Sequence, residues 1–171
     1  MSALPPDDLS RQLAFAPAAG ENPRHVGIAG DTYTIVLTGK DTAGRFCLID
    51  MYIPPGGGPP PHRHDFEETF TLLEGELETT FRGNQKVVRP GETVNIPANA
   101  PHRFQNVSGS PARLLCICSP AGLEEFFLEA GVPVATRTTP APPLEPAAQA
   151  ELKARLMSLA SKYRTEFLEH P

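Results

Sequence analysis

Short runs of alternating apolar and polar residues dominate the middle of the chain, each closed by turn residues. DTYTIVLTG (31–39) is rich in β-branched and aromatic residues and stops at a glycine, and RFCLIDMYI (45–53) repeats the pattern after the turn KDTAG. ETFTLLE, ELETTFR, QKVV, TVNIP, HRFQNV and ARLLCICS follow, separated by Glu74-Gly75, Arg82-Gly83-Asn84 and RPGE, with a further short strand around 62–64. Strands at intervals of roughly 8–12 residues, with turn chemistry between them and no helix–strand alternation, predict an all-β sandwich or barrel.

The flanks read differently. Residues 1–24 lack a sustained period, so they are expected to form an extended arm with one short helical turn near Leu9 to Phe15. AGLEEFFLEAG (121–131) predicts a short helix with Gly131 as its stop, and the proline-bearing stretch 132–146 reads as a strap along a surface. Leu152, Leu156, Leu159, Tyr163 and Phe167 fall at steps of four, three, four and four, predicting an amphipathic helix over 147–168 with Pro146 in its first turn. The expected organisation is an arm (1–24), a β-domain (25–120) and a C-terminal extension (121–171).

Composition narrows the function. A length of 171 residues suits one domain, and the formal charge of −5 with 15 scattered Lys and Arg offers no basic stripe for nucleic acid. No apolar run approaches the roughly 18–20 residues of a membrane span, and the start MSALPPDDLSRQ lacks a signal-peptide pattern, so a cytoplasmic location is expected. The three cysteines are an odd count, and a bridge between Cys116 and Cys118 on one strand would be strained; reduced, buried thiols are expected rather than redox groups.

The chemistry concentrates in GGGPPPHRHDFEETFTLLEGEL (56–77). Alternation places His62 and His64 on one face, with Glu68 of the same parity if the strand continues without a bulge. Glu67 has the opposite parity and is expected to face outward, toward Arg63. His102, after a turn containing Pro97, Asn99 and Pro101, is a candidate fourth ligand; His25 and His170 are left as lone surface residues. Imidazoles with a carboxylate suit iron, manganese, nickel, copper or zinc rather than calcium or magnesium.

These spacings resemble the two motifs of the cupins. Gly56, five residues, His62-x-His64, three residues, Glu68, six residues and Gly75 correspond to the first; Gly91, five residues, Pro97, one residue, Asn99, two residues, His102, three residues and Asn106 correspond to the second. Asn99 stands where the family usually has glycine, and asparagine is the side chain best able to keep a left-handed backbone there. The resemblance, over about residues 30–120, implies an antiparallel double-stranded β-helix, or jelly-roll barrel, of six to ten strands. It implies one divalent transition metal per chain held by His62, His64, Glu68 and His102.

Phe70, Leu72 and Phe104 share the inward parity, as barrel core or as the apolar wall of a substrate pocket. Arg63 and Arg103 are read as exterior charges, and Asn106 as closing a turn. A narrower similarity to bacterial quercetin dioxygenase-like cupins implies a mononuclear non-haem dioxygenase acting on an enolic or phenolic small molecule, with Glu68 as general base as well as ligand. A metal-dependent binding or sensing module without turnover is the alternative, and a metal-dependent isomerase or decarboxylase ranks third. The arm and the C-terminal helix, together with the family's habit of pairing through edge strands, lead to the expectation of a homodimer.

Overall fold

The structure is a computed structural model that describes residues 4–17 and 24–169; the rest of the expected arm and His170 lie outside the described residues. Two antiparallel sheets face each other as a jelly roll, open rather than closed into a continuous barrel. Nine strands run between Asp31 and Ser119: β2 (Asp31–Leu37), β3 (Cys47–Ile53), β4 (His62–His64), β5 (Glu67–Glu74), β6 (Leu77–Phe81), β7 (Asn84–Val88), β8 (Thr93–Ile96), β9 (His102–Gln105) and β10 (Ala112–Ser119). Three more are added to them: β1 (Arg24–Ile28), β11 (Val132–Pro133) and β12 (Thr165–Phe167). The larger sheet has the order β11-β1-β2-β3-β10-β5-β8 and the smaller β12-β4-β9-β6-β7.

Alternation builds the core. Ile49, Met51, Ile53, Phe70, Leu72, Leu114, Cys116 and Cys118 are all buried from the larger sheet, and Leu77 and Phe104 from the smaller. The row across the larger sheet is in register, Cys116 facing Ile49 on β3 and Phe70 on β5. Burial of such side chains contributes about 1.5–3 kcal/mol each and sets the strand faces. Outside the core, the Asp50 carboxylate is buried and held by Arg113 at 2.7 Å and by Arg137, which ties the proline-bearing strap to β3.

Several elements differ from the expectations. The arm shows a turn at Leu9–Ser10, where Asp8 accepts from the Ser10 N–H at 3.1 Å, and no helix over 9–15. The turn expected at KDTAG (40–44) begins as a single helical turn, α1 (Gly39–Thr42), started by the Asp41 carboxylate accepting from the Thr38 N–H at 2.8 Å. The strand β1 was hidden because its hairpin to β2 turns at Ala29-Gly30, both with positive φ, rather than at a conventional Asn-Gly. The helix at 123–130, α2 (Leu123–Ala130), forms where expected and ends at Gly131.

The C-terminal helix is shorter than the pattern suggested. It runs as α3 (Pro146–Ala160), passes through a 3-10 turn at 161–163, and reverses at Arg164, φ 57°. The chain then enters β12, which pairs with β4. A step of four residues is both one helical turn and two strand repeats, so Tyr163 and Phe167 fitted the helical stripe without belonging to one helix. The exposed edge of β4 decides the matter, because strand pairing satisfies backbone groups that would otherwise stay open. No described helix is long and apolar enough to cross a membrane.

Candidate metal centre

His62, His64, Glu68 and His102 are all buried, and one ligand atom from each lies within 4.8 Å of the others. The two sheets share the cluster. His62 and His64 come from β4 and His102 from its neighbour β9, where His62 and His102 sit directly opposite. Glu68 comes from β5 in the facing sheet. The expected reason for its inclusion, one strand continuing from His64, is therefore corrected: the chain crosses between sheets at Asp65–Phe66, and the parity of β5 itself buries Glu68 and exposes Glu67.

Each imidazole is fixed by its own local backbone. Nδ1 of His62 lies 2.9 Å from the Pro60 carbonyl, Nδ1 of His64 the same distance from that of Phe66, and Nδ1 of His102 the same from that of Ala100. A carbonyl only accepts, so each Nδ1 carries a proton and each Nε2 is the nitrogen left to ligate a metal ion. The His64 ring is further clamped by stacking on Phe66, with centroids 3.9 Å apart and planes at 1°. Three Nε2 lone pairs and one carboxylate are the donor set of a first-row transition ion, so the residues present fit such a metal.

The electrostatics agree with that fit. Burial by itself would raise the Glu68 pKa, but the imidazoles of His102 and His64, whose Nε2 atoms lie 3.3 and 2.9 Å from Oε2, outweigh it and hold the carboxyl well below its usual range. Burial and the neighbouring His102 push His62 down to about 3, so it stays neutral. Burial also opposes charge on His102, yet the Glu68 carboxylate, 3.3 Å away, overcomes it and raises that residue. The second Glu68 oxygen, Oε1, accepts from the Cys116 thiol at 3.3 Å. Cys47, Cys116 and Cys118 are free and buried.

Loop chemistry delivers the ligands. Gly58 has φ 122°, and a Cβ there would lie 2.3 Å from the Phe104 carbonyl oxygen, so only glycine lets the Gly/Pro loop pass over β9. Asn99 has φ 66°, the left-handed conformation its identity suggested, and its N–H donates to the His64 carbonyl at 2.6 Å. Asn106 closes the next turn, donating to the carbonyls of Ile53 and Ser110 and accepting from Ser108.

A cavity of about 120 Å³ adjoins the cluster. Of the three candidate wall residues, Phe104 lines it, whereas Phe70 and Leu72 are buried in the core away from its surface. The wall comes mostly from residues the sequence pattern did not assign to it, among them Asp31, Tyr33, Phe127, Thr165 and Phe167. Glu67 faces out as expected, but its partners are Asn95 and the Ala98 N–H; Arg63 pairs instead with Glu166 of β12 at 2.6 Å. His25, half-buried, bonds Thr34 at 2.7 Å rather than standing alone.

Comparison with known proteins agrees with this architecture. Residues 49–118 match the model of the cupin domain, a span that contains all four clustered residues. The polyketide cyclase RemF from Streptomyces resistomycificus is 32% identical, covering 56% of this chain and 69% of that one, with a TM-score of 0.49. The chain belongs to the cupin family. Quercetin 2,3-dioxygenase from Bacillus subtilis strain 168 is 28% identical over 118 residues, which cover 68% of this chain but only 35% of that enzyme's own length. An RmlC-like cupin from Shewanella frigidimarina NCIMB 400 shares the fold, at 18% identity and a TM-score of 0.55, covering 63% of this cupin and 93% of the other.

Proposed function

We propose that this cupin is a mononuclear, metal-dependent dioxygenase acting on a compact enolic or phenolic molecule. The observation that carries the reading is the convergence of three imidazole nitrogens and one carboxylate oxygen, within 4.8 Å, beside a mostly apolar cavity. A divalent transition ion held by His62, His64, Glu68 and His102 would supply a Lewis-acidic, redox-capable centre. The likeness to quercetin 2,3-dioxygenase supports the oxidative class.

The chain's own residues divide the remaining work. Glu68 Oε1, whose partner is the weakly donating Cys116 thiol, is the atom able to take a hydroxyl proton from the substrate. Met51, Phe104, Phe127 and Phe167 exclude water and give an aromatic ring an apolar bed. Size narrows the substrate: an apolar cavity of about 150 Å³ holds benzene, so about 120 Å³ suits one ring or a short 1,3-diketone and not a three-ring flavonol.

Oxygen uptake by protein loaded with iron, manganese, nickel or copper, against small phenols and 1,3-diketones, tests the reading. Substrate-dependent uptake with at least one metal is expected, and its absence with all four overturns it. A second reading is a binding module without turnover, favoured by the way β12 and α3 cover the cavity with Thr165, Phe167 and Leu156. Its signature is tight, metal-dependent ligand binding with no uptake.

A further inference from the structure

Asp31 opens β2 and is 4% exposed, on the wall of the same cavity as His62, His64 and Glu68. Its Oδ2 accepts from the Gly58 N–H at 3.1 Å and from the Tyr33 hydroxyl at 3.2 Å, while Oδ1 has only a longer contact to that N–H, 3.3 Å. Both donors are neutral, and no lysine, arginine or histidine acts on the carboxyl among the described residues. A carboxylate offers about four acceptor positions, so Oδ1 retains capacity.

Two roles compete for this side chain. It clamps the Gly57–Gly58 loop that leads to His62, and that task needs only an acceptor for one N–H, which an asparagine would supply without a charge. Burying an ionisable carboxyl with no cation beside it costs several kcal/mol, and such groups concentrate where a ligand is handled. Tyr33 is itself immobilised by stacking on Phe127 at 3.9 Å, so the acid is held in one place.

We infer that Asp31 is a second polar anchor of the cavity, accepting a hydrogen bond from a donor group of the bound molecule whose acidic hydroxyl lies at the His62–His64–Glu68–His102 cluster. The inference rests on reading the cavity as a substrate site. It narrows the substrate class to compact enols or phenols that carry a second hydroxyl or N–H remote from the first. Burial is the main cause that raises the Asp31 carboxyl to about 7, against the smaller opposing pull of Tyr33 and Gly58, so its acceptor strength changes across the neutral range. The titratable groups on this cavity are Tyr33, His62, His64 and Glu68.

The test uses zinc-loaded protein, in which no oxidation competes, and calorimetric titration with 1,3-dihydroxybenzene, phenol and 3-methoxyphenol. The dihydroxy probe is expected to bind about tenfold tighter than the other two. Asp31→Asn, which keeps an acceptor for the Gly58 N–H, should bring its affinity down to that of phenol. Tyr33→Phe is the second variant: it should keep the preference and move its pH midpoint upward, because the carboxylate loses a donor. Equal binding of the three probes, no binding of any, a preference that survives Asp31→Asn, or an unmoved midpoint in Tyr33→Phe overturns the inference. None of these readouts depends on oxygen uptake, so the inference and the dioxygenase reading can fail separately.

Discussion

Phe167 lies directly opposite His62 in the β12–β4 pair, with the two ring centroids 6.5 Å apart. A residue from the C-terminal extension thus covers a ligand placed more than one hundred positions earlier. Phe167→Ala should therefore act on the centre as well as on the fold. Because the ring is only half-buried, the stability loss is expected near 1–2 kcal/mol, below that of a full core truncation. Metal loss to a chelator should become several-fold faster, and an unchanged rate would show that β12 does not cover the site.

Removing a ligand separates metal binding from folding. His62→Ala is expected to drop bound metal from about one per chain to a small residue, since a four-donor set loses one imidazole. The strands should persist, because the core does not depend on the cluster. Elemental analysis beside far-ultraviolet circular dichroism checks both halves.

The turn before His102 can be probed at one backbone position. Asn99 occupies φ 66°, so Asn99→Gly should be nearly neutral, while Asn99→Val should cost about 1–2 kcal/mol. Because its N–H also holds the His64 carbonyl, the valine variant should weaken metal affinity in parallel. Thermal unfolding and metal titration of the two variants give the comparison.

Asp31 makes stability depend on pH with a defined sign. Its carboxyl ionises near 3.8 when unfolded and at about 7 when folded, so the folded state keeps a proton that the unfolded chain has released. Its contribution is fully present below pH 3.8 and is lost as pH rises through about 7, a swing of up to about 4 kcal/mol. Asp31→Asn lacks this dependence. Between pH 5 and pH 8 the difference in urea-unfolding stability between the two metal-free proteins should therefore move toward the asparagine variant, by about 2–3 kcal/mol.

The cluster was legible in the chain because its geometry is encoded locally. Glycines and prolines announce the loop, His-x-His announces one strand face, and the Pro97–His102 turn announces the other. Glu68 was placed correctly for an incomplete reason: a parity count carried across Asp65–Phe66 gave the right answer although the chain changes sheets there. The cavity wall was not legible. Asp31 reaches it from the start of the β-domain and Phe167 from the C-terminal extension, and neither sits at a distinctive interval from the histidines. Parity alone also could not tell Phe104, on the cavity, from Phe70, equally inward but enclosed in the core.

The three bonds from imidazole Nδ1 to carbonyls two residues away have a wider consequence. Each histidine ligand takes its orientation from a backbone carbonyl of its own stretch of chain. Cage and chamber are therefore separable over much of the wall: substitutions at Phe104 or Phe127 can reshape what the chamber admits while the cage stays in tune. A jelly roll wired in this way can change its chemical clientele by drift in the lining alone, without rebuilding the centre.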